Sequence, residues 1–126
     1  MGYIPPVYVP IPGGKEHFTL NLVKGRTNVL EVYCVTRTGA IFDISGLTPV
    51  LNGRVSPSSP SVELSLTTGT GITTTSNQGL IVVTFDTVRS ASWAWDRLVY
   101  EMSLTNVAGN TKYEVISGVV NAREPL

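Results

Sequence analysis

One histidine, one cysteine and nine acidic residues leave few side chains for acid–base, nucleophilic or metal chemistry. His17 sits in the alternating stretch "EHFTLNLV" beside Glu16. A Ser–His–Asp relay would need a serine and an aspartate converging on it, and no nucleophile-elbow motif supplies the serine. His17 therefore reads as a solvent-facing strand histidine. The carboxylates Glu16, Glu31, Asp43, Glu63, Asp86, Asp96, Glu101, Glu114 and Glu124 are scattered. No two have a spacing that sets them on one face of one element, so neither a glycosidase pair nor a calcium loop is supported. "GTG" at 69–71 lacks the Lys–Ser/Thr and helix start of a phosphate-binding loop and reads as a turn. Cys34, within "VLEVYCVTR", excludes an intrachain disulfide and any cysteine-based zinc site. It reads as a small buried hydrophobe. No catalytic, cofactor-binding or metal-ligating residue is assigned, and the chain is expected not to be an enzyme.

Trp93 and Trp95 are the other chemically suggestive pair, since aromatic rings can stack on sugars or bases. Two residues apart on a strand they would share a face; on a helical turn they diverge. The expectation is that one plugs the end of the core while the other rests against Arg97 or at a surface contact. A ligand platform made by the two tryptophans is the alternative.

The elements that must position these residues are legible from composition and period. The chain has 126 residues, enough for one domain, and carries equal numbers of acidic and basic residues. With no net positive field it has no general pull toward phosphate backbones, so nucleic acid is not an expected partner. Only 14% of residues are charged, against about 25% in an average globular chain. Thr, Ser and Gly fill the polar positions, and such a surface associates readily when a partner is present. No apolar stretch approaches the ~20 residues of a membrane helix, and no signal-peptide pattern opens the chain. Synthesis in a reducing cytoplasm, without membrane association, is expected.

Residues 1–14, "MGYIPPVYVPIPGG", stand apart as an extended, proline-rich arm, and residues 15–126 as the folded domain. Proline fixes φ and lacks an N–H, so this segment is neither helix nor central strand. The arm has no means of burying Tyr3, Ile4, Val7, Tyr8, Val9 and Ile11 on itself. It must lie either on its own domain or, as the preferred expectation, on a neighbouring subunit.

From Lys15 the period becomes two. "HFTLNLV" sets Phe18, Leu20 and Leu22 on one face, and "KGRTN" turns the chain into "VLEVYCVT", with Leu30, Val32 and Cys34 together. A third strand is expected around Pro49–Val55, and "VELSL" places Val62, Leu64 and Leu66 in register. Ile72 anchors a Thr-rich stretch, and "LIVVTFDT" is apolar enough to be central and covered on both faces. "VRSASWAWDRL" reads as a short helical corner through Ser90, Ala91, Ala94 and Leu98. "VYEMSLTNVAGNTKYEVISGVV" closes the domain as a hairpin, with Tyr100, Met102 and Leu104 inward. The fold class expected is all-β, an antiparallel Ig-like β-sandwich of seven to eight strands with the arm and one helical corner.

Several of these stretches together resemble a known pattern. A short N-terminal hairpin ends in "TGAIFDISGLTPVLNGRV"; a variable stretch, then "SNQGLIVVTF", a short corner and "RLVYEMSLTNVAGNTKYEVISGVVN" follow. The chain supplies Asp43-Ile44-Ser45-Gly46, then Gly79 to Val83, then Tyr100-Glu101-Met102-Ser103-Leu104, and finally Gly118 with Val120. Over about residues 16–122 this resembles tailed-bacteriophage tail and baseplate β-sandwich domains, similar to the N-terminal domain of baseplate upper proteins. It departs from that pattern at Pro49, in "TTGTGITTTS" and in the arm.

The resemblance implies a virion structural protein, an adaptor or anchoring module for fibres or receptor-binding proteins, present in multiple copies of a symmetric assembly. It carries no catalytic residues across. The alternatives are a capsid decoration protein and a carbohydrate-binding module using Trp93, Trp95 and surface tyrosines. On the first reading the arm docks by burying apolar side chains on another virion protein, and Gly118 permits close backbone approach.

Overall fold

Period-two alternation in "NVLEVYCV" becomes a strand with every second side chain buried, Leu30, Val32 and Cys34 among them. The same rule builds the rest of the chain. The structure, a computed structural model, describes residues 2–4, 6–11, 16–106 and 112–124. Among them run β1 (Gly2–Tyr3), β2 (Val7–Pro10), β3 (Glu16–His17), β4 (Leu20–Val23), β5 (Asn28–Val35) and β6 (Leu47–Arg54). They are followed by β7 (Leu64–Thr68), β8 (Gly71–Thr75), β9 (Leu80–Phe85), α1 (Thr87–Ala91), β10 (Arg97–Asn106) and β11 (Lys112–Arg123).

All eleven strands belong to one sheet, in the order β1–β5–β9–β8–β7–β6–β10–β11–β3, with β2 also on β5 and β4 also on β11. The sheet curls at the corner between β7 and β8, where Thr67 N–H donates to the Thr70 carbonyl and Gly69 N–H to that of Ile72. One limb holds β5, β9 and β8; the other holds β7, β6, β10 and β11. Buried residues of both limbs, from Leu30, Ile81 and Phe85 to Leu51, Met102 and Val115, join in a single core.

The all-β class stands, but the antiparallel Ig-like sandwich of seven to eight strands is corrected to a curled mixed sheet. Pairings of β1 and β2 with β5, and of β3 and β4 with β11, are parallel. Period alone sets which face is buried and says nothing of strand direction, which depends on where each segment docks. The expected N-terminal hairpin is absent for the same reason. β4 pairs with β11 while β5 pairs with β9, so the turn at 24–27 crosses from one limb to the other.

That crossing is fastened on the inside. The Asp86 carboxylate caps α1 by accepting the Arg89 N–H at 2.6 Å. The helix then presents buried Ser90, whose hydroxyl accepts from Gly25 N–H at 3.0 Å and donates to the Arg26 carbonyl at 3.2 Å. The helical corner is thus realised over Thr87–Ala91, with Leu98 instead buried in β10.

β9 is central in hydrogen-bonding order, yet only Ile81, Val83 and Phe85 are buried; Leu80, Val82 and Thr84 are half-exposed. Its second face is therefore not covered, which corrects the expectation of burial on both sides. Val62 also falls outside β7 and is exposed, whereas Leu64 and Leu66 are buried as expected.

Candidate functional site

The proline-rich segment lies along its own domain. β1 and β2 add in parallel to the edge of β5, with Val7 opposite Val32, Val9 opposite Cys34 and Pro10 opposite Val35. Ile11 N–H donates to the Val35 carbonyl at 2.7 Å. Val9 and Ile11 are buried at 0% and 2% exposure, and Ile4 and Val7 pack against the core. Tyr8 is the outlier, 63% exposed and stacked on half-buried Tyr33 with centroids 5.0 Å apart. The Tyr3 side chain lies outside the described residues, as do positions 1, 5 and 12–15 of the stretch expected to be an arm. The extended conformation expected from the prolines is present, and the surface it covers is the chain's own β5 edge.

The two tryptophans meet each other. Their rings stack at 4.6 Å with 25° between planes, and Trp93 also meets Phe85 edge-on at 6.1 Å. Both are half-buried against the core, which corrects the expectation that they diverge, while Arg97 is exposed at the start of β10. The pair packs on the core beside Phe85, the last residue of β9. The Trp95 Nε1–H is buried and has no acceptor among the described residues.

The Cys34 thiol is buried, and desolvation pushes its pKa up to about 12. His17 is exposed, with Nδ1 3.3 Å from the Ser117 hydroxyl. Asp43 accepts from the Ser45 hydroxyl at 2.6 Å and from its backbone N–H at 2.8 Å, bonds that hold its carboxyl below the usual range. That Asx-turn explains the "DISG" motif: it starts the reversal into β6. Among the described residues no three His, Cys, Asp or Glu side chains gather as a metal site, and no helix is long and apolar enough to cross a membrane.

The motif glycines have steric reasons of their own. A Cβ on Gly79, at φ +65°, would lie 2.5 Å from the Cys34 carbonyl oxygen; one on Gly118, at φ +150°, would lie 2.5 Å from that of Phe18.

One surface feature escaped the sequence. A groove of about 420 Å³ crosses the outer face of β3, β11, β10 and β6, lined by His17, Ser117, Val119, Val99, Glu101, Asn52, Arg54 and Pro57. Cross-strand register assembles it: His17 stands opposite Ser117, Ser117 opposite Glu101, and Glu101 opposite Asn52. Arg54 is braced by donating to the Ser59 and Pro60 carbonyls at 3.2 and 3.3 Å. Four segments far apart in sequence contribute, and no local motif marks such a site.

With this geometry in view, likeness to solved structures becomes informative. The chain superposes on a structure described as the N-terminal domain of phage TP901-1 ORF48, with a TM-score of 0.60. The chain has the fold of a phage protein domain. The match spans 94% of this chain and 98% of the other at 10% sequence identity. No protein-family pattern matches the sequence. No curated protein matches it either.

Proposed function

We propose that this chain is a structural protein of a phage tail or baseplate, an adaptor that holds fibres or receptor-binding proteins and performs no catalysis. The observation that carries the reading is a shared fold over nearly the full length of both chains, 94% and 98%, with a domain of a phage protein. The resemblance of "DISG", "GLIVV" and "YEMSL" to tail and baseplate domains supports it independently. A lightly charged surface and a core that buries the one thiol fit a scaffold role. Among the described side chains of the proline-rich segment, Tyr8 is the large apolar one positioned to meet a neighbour, because Val9 and Ile11 are committed to the core. Partners are other virion proteins, in a symmetric assembly of several copies.

Antibody labelling of purified virions from the source of this sequence tests the proposal. Label at the tail tip or baseplate supports it; label on the head would instead carry the capsid-decoration alternative; virions free of the protein would overturn both.

A further inference from the structure

The two edges of the curled sheet differ in how they are protected against a further strand. In the parallel ladder of β2 on β5, odd-numbered residues turn their N–H and C=O groups toward β5, as the Ile11 to Val35 bond shows. Even-numbered positions face outward, and two of these, Pro6 and Pro10, have no N–H. That edge is closed to a further strand by its own sequence.

The opposite edge has no such protection. β3 and β4 run beside β11 in one constant register, Glu16 opposite Ile116 through Val23 opposite Arg123. Phe18 and Lys24 donate to the Ser117 and Arg123 carbonyls at 2.8 and 2.9 Å, so even-numbered residues serve β11. His17, Thr19, Asn21 and Val23 therefore direct their N–H groups outward, and no strand pairs with them among the described residues. From Phe18 to Val23 the strand carries no charge and no proline, the usual defences of an open edge.

We infer that this edge pairs with the same edge of a second copy, antiparallel about a two-fold axis near Leu20. Thr19 then lies opposite Asn21 of the second copy, and His17 opposite its Val23. Self-pairing brings no like-charged side chains together between Phe18 and Val23, and the zero net charge of the chain opposes nothing. The contact is isologous, and the proline-capped edge keeps it from propagating, so assembly stops at two copies rather than growing into a fibre. A single short strand pair sits below the area of a permanent interface, so the dissociation constant should be on the order of 100 μM. The inference does not depend on the phage reading.

Sedimentation velocity from about 10 μM to about 1 mM, a range set by that affinity scale, tests it on the full chain. The expected result is a reversible monomer–dimer equilibrium, with amide exchange at Thr19 and Asn21 slowing as concentration rises while Tyr8 is unchanged. Asn21→Pro removes one outward donor; Asn21→Lys, which leaves the backbone intact, places a charge on the edge. Each should leave only monomer, and the Lys variant should keep its thermal midpoint. Pro6→Ala with Pro10→Ala should add species larger than the dimer. A wild-type chain monomeric at ~1 mM, or a dimer surviving Asn21→Lys, would overturn the inference. A double proline variant that stays dimeric would overturn the assignment of the cap.

Discussion

The Tyr100 hydroxyl donates to the Phe18 carbonyl at 2.6 Å, tying β10 to the junction of β3 and β4 across 82 residues of sequence. The same carbonyl oxygen is the atom that a Cβ on Gly118 would strike. Three elements therefore converge on one backbone group, which gives Tyr100 and Gly118 of the closing hairpin their local roles. Tyr100→Phe leaves that carbonyl without its partner and should cost about 1 kcal/mol. Gly118→Ala forces the backbones apart and adds strain at positive φ, so it should cost more, about 2–3 kcal/mol. Urea denaturation of the two variants checks the order.

Burial divides the proline-rich segment into a structural and a free part. Ile11→Ala should destabilise the domain by about 2–4 kcal/mol, as expected for a buried isoleucine. Tyr8→Ser should cost no more than about 1 kcal/mol, the value of a stacked pair that is largely exposed. If Tyr8 is the contact to a neighbour, Tyr8→Ser should leave the fold intact and reduce incorporation into particles. Removing residues 2–11 should lower the thermal midpoint, because Val9 and Ile11 leave the core with them.

What could be read in advance follows from what each residue type controls. Alternation in β5, β10 and β11 sets the buried face, so Leu30, Val32, Met102 and Leu104 were legible as core. Direction and pairing were not, since the partner of "LNLV" is β11, a hundred residues away, rather than the neighbouring β5. Proline at 6 and 10 signalled an extended edge segment but carried no information on whose edge it would join. The tryptophans misled because the stretch after α1 is irregular, and neither strand nor helix geometry governs it. The groove needed a full register of four strands before Glu101, Asn52 and His17 came side by side.

Trp95 stacks on Trp93 yet leaves a buried Nε1–H without an acceptor. Trp95→Phe keeps an aromatic face and removes the unpaired donor, so its loss of packing should be offset by about 1 kcal/mol or more. Trp93→Phe has no such compensation and loosens contacts with both Phe85 and Trp95. The second variant should therefore unfold at the lower temperature. Near-ultraviolet circular dichroism should weaken in both, because the stacked pair is broken in each.

Cys34 should stay unlabelled by a thiol reagent in the native protein and react at the rate of unfolding. Its pKa rises from 9.0 unfolded to about 12 in the folded state because burial penalises the thiolate. Between those values the unfolded chain has lost the proton and the native chain retains it, so stability falls as pH rises across that window. Denaturant midpoints at pH 8, 9.5 and 11 should decline in that order, and Cys34→Ala should flatten the decline.

Lys24 adds a second alkaline limb through a different cause. Its side chain is only 6% exposed, with Nζ 2.9 Å from Asp96 and 3.5 Å from Glu124, both on the solvent side. The hydrogen bond to Asp96 outweighs desolvation and holds the Lys24 pKa above its usual 10.5. A raised pKa means that the stabilisation is complete below the unfolded value and is lost as pH climbs through the folded one. Asp96→Asn removes the largest cause and leaves the ammonium with Glu124 alone. The variant should therefore melt at a lower temperature at pH 7, and its alkaline decline should begin at a lower pH than in the parent. Because Lys24 begins the turn between limbs, Gly25 and Arg26 should lose amide protection beside Ser90 before either limb of the sheet opens. Hydrogen exchange on the Asp96→Asn variant reads that order directly, and loss of protection at β9 before the turn would contradict the role given to this ion pair.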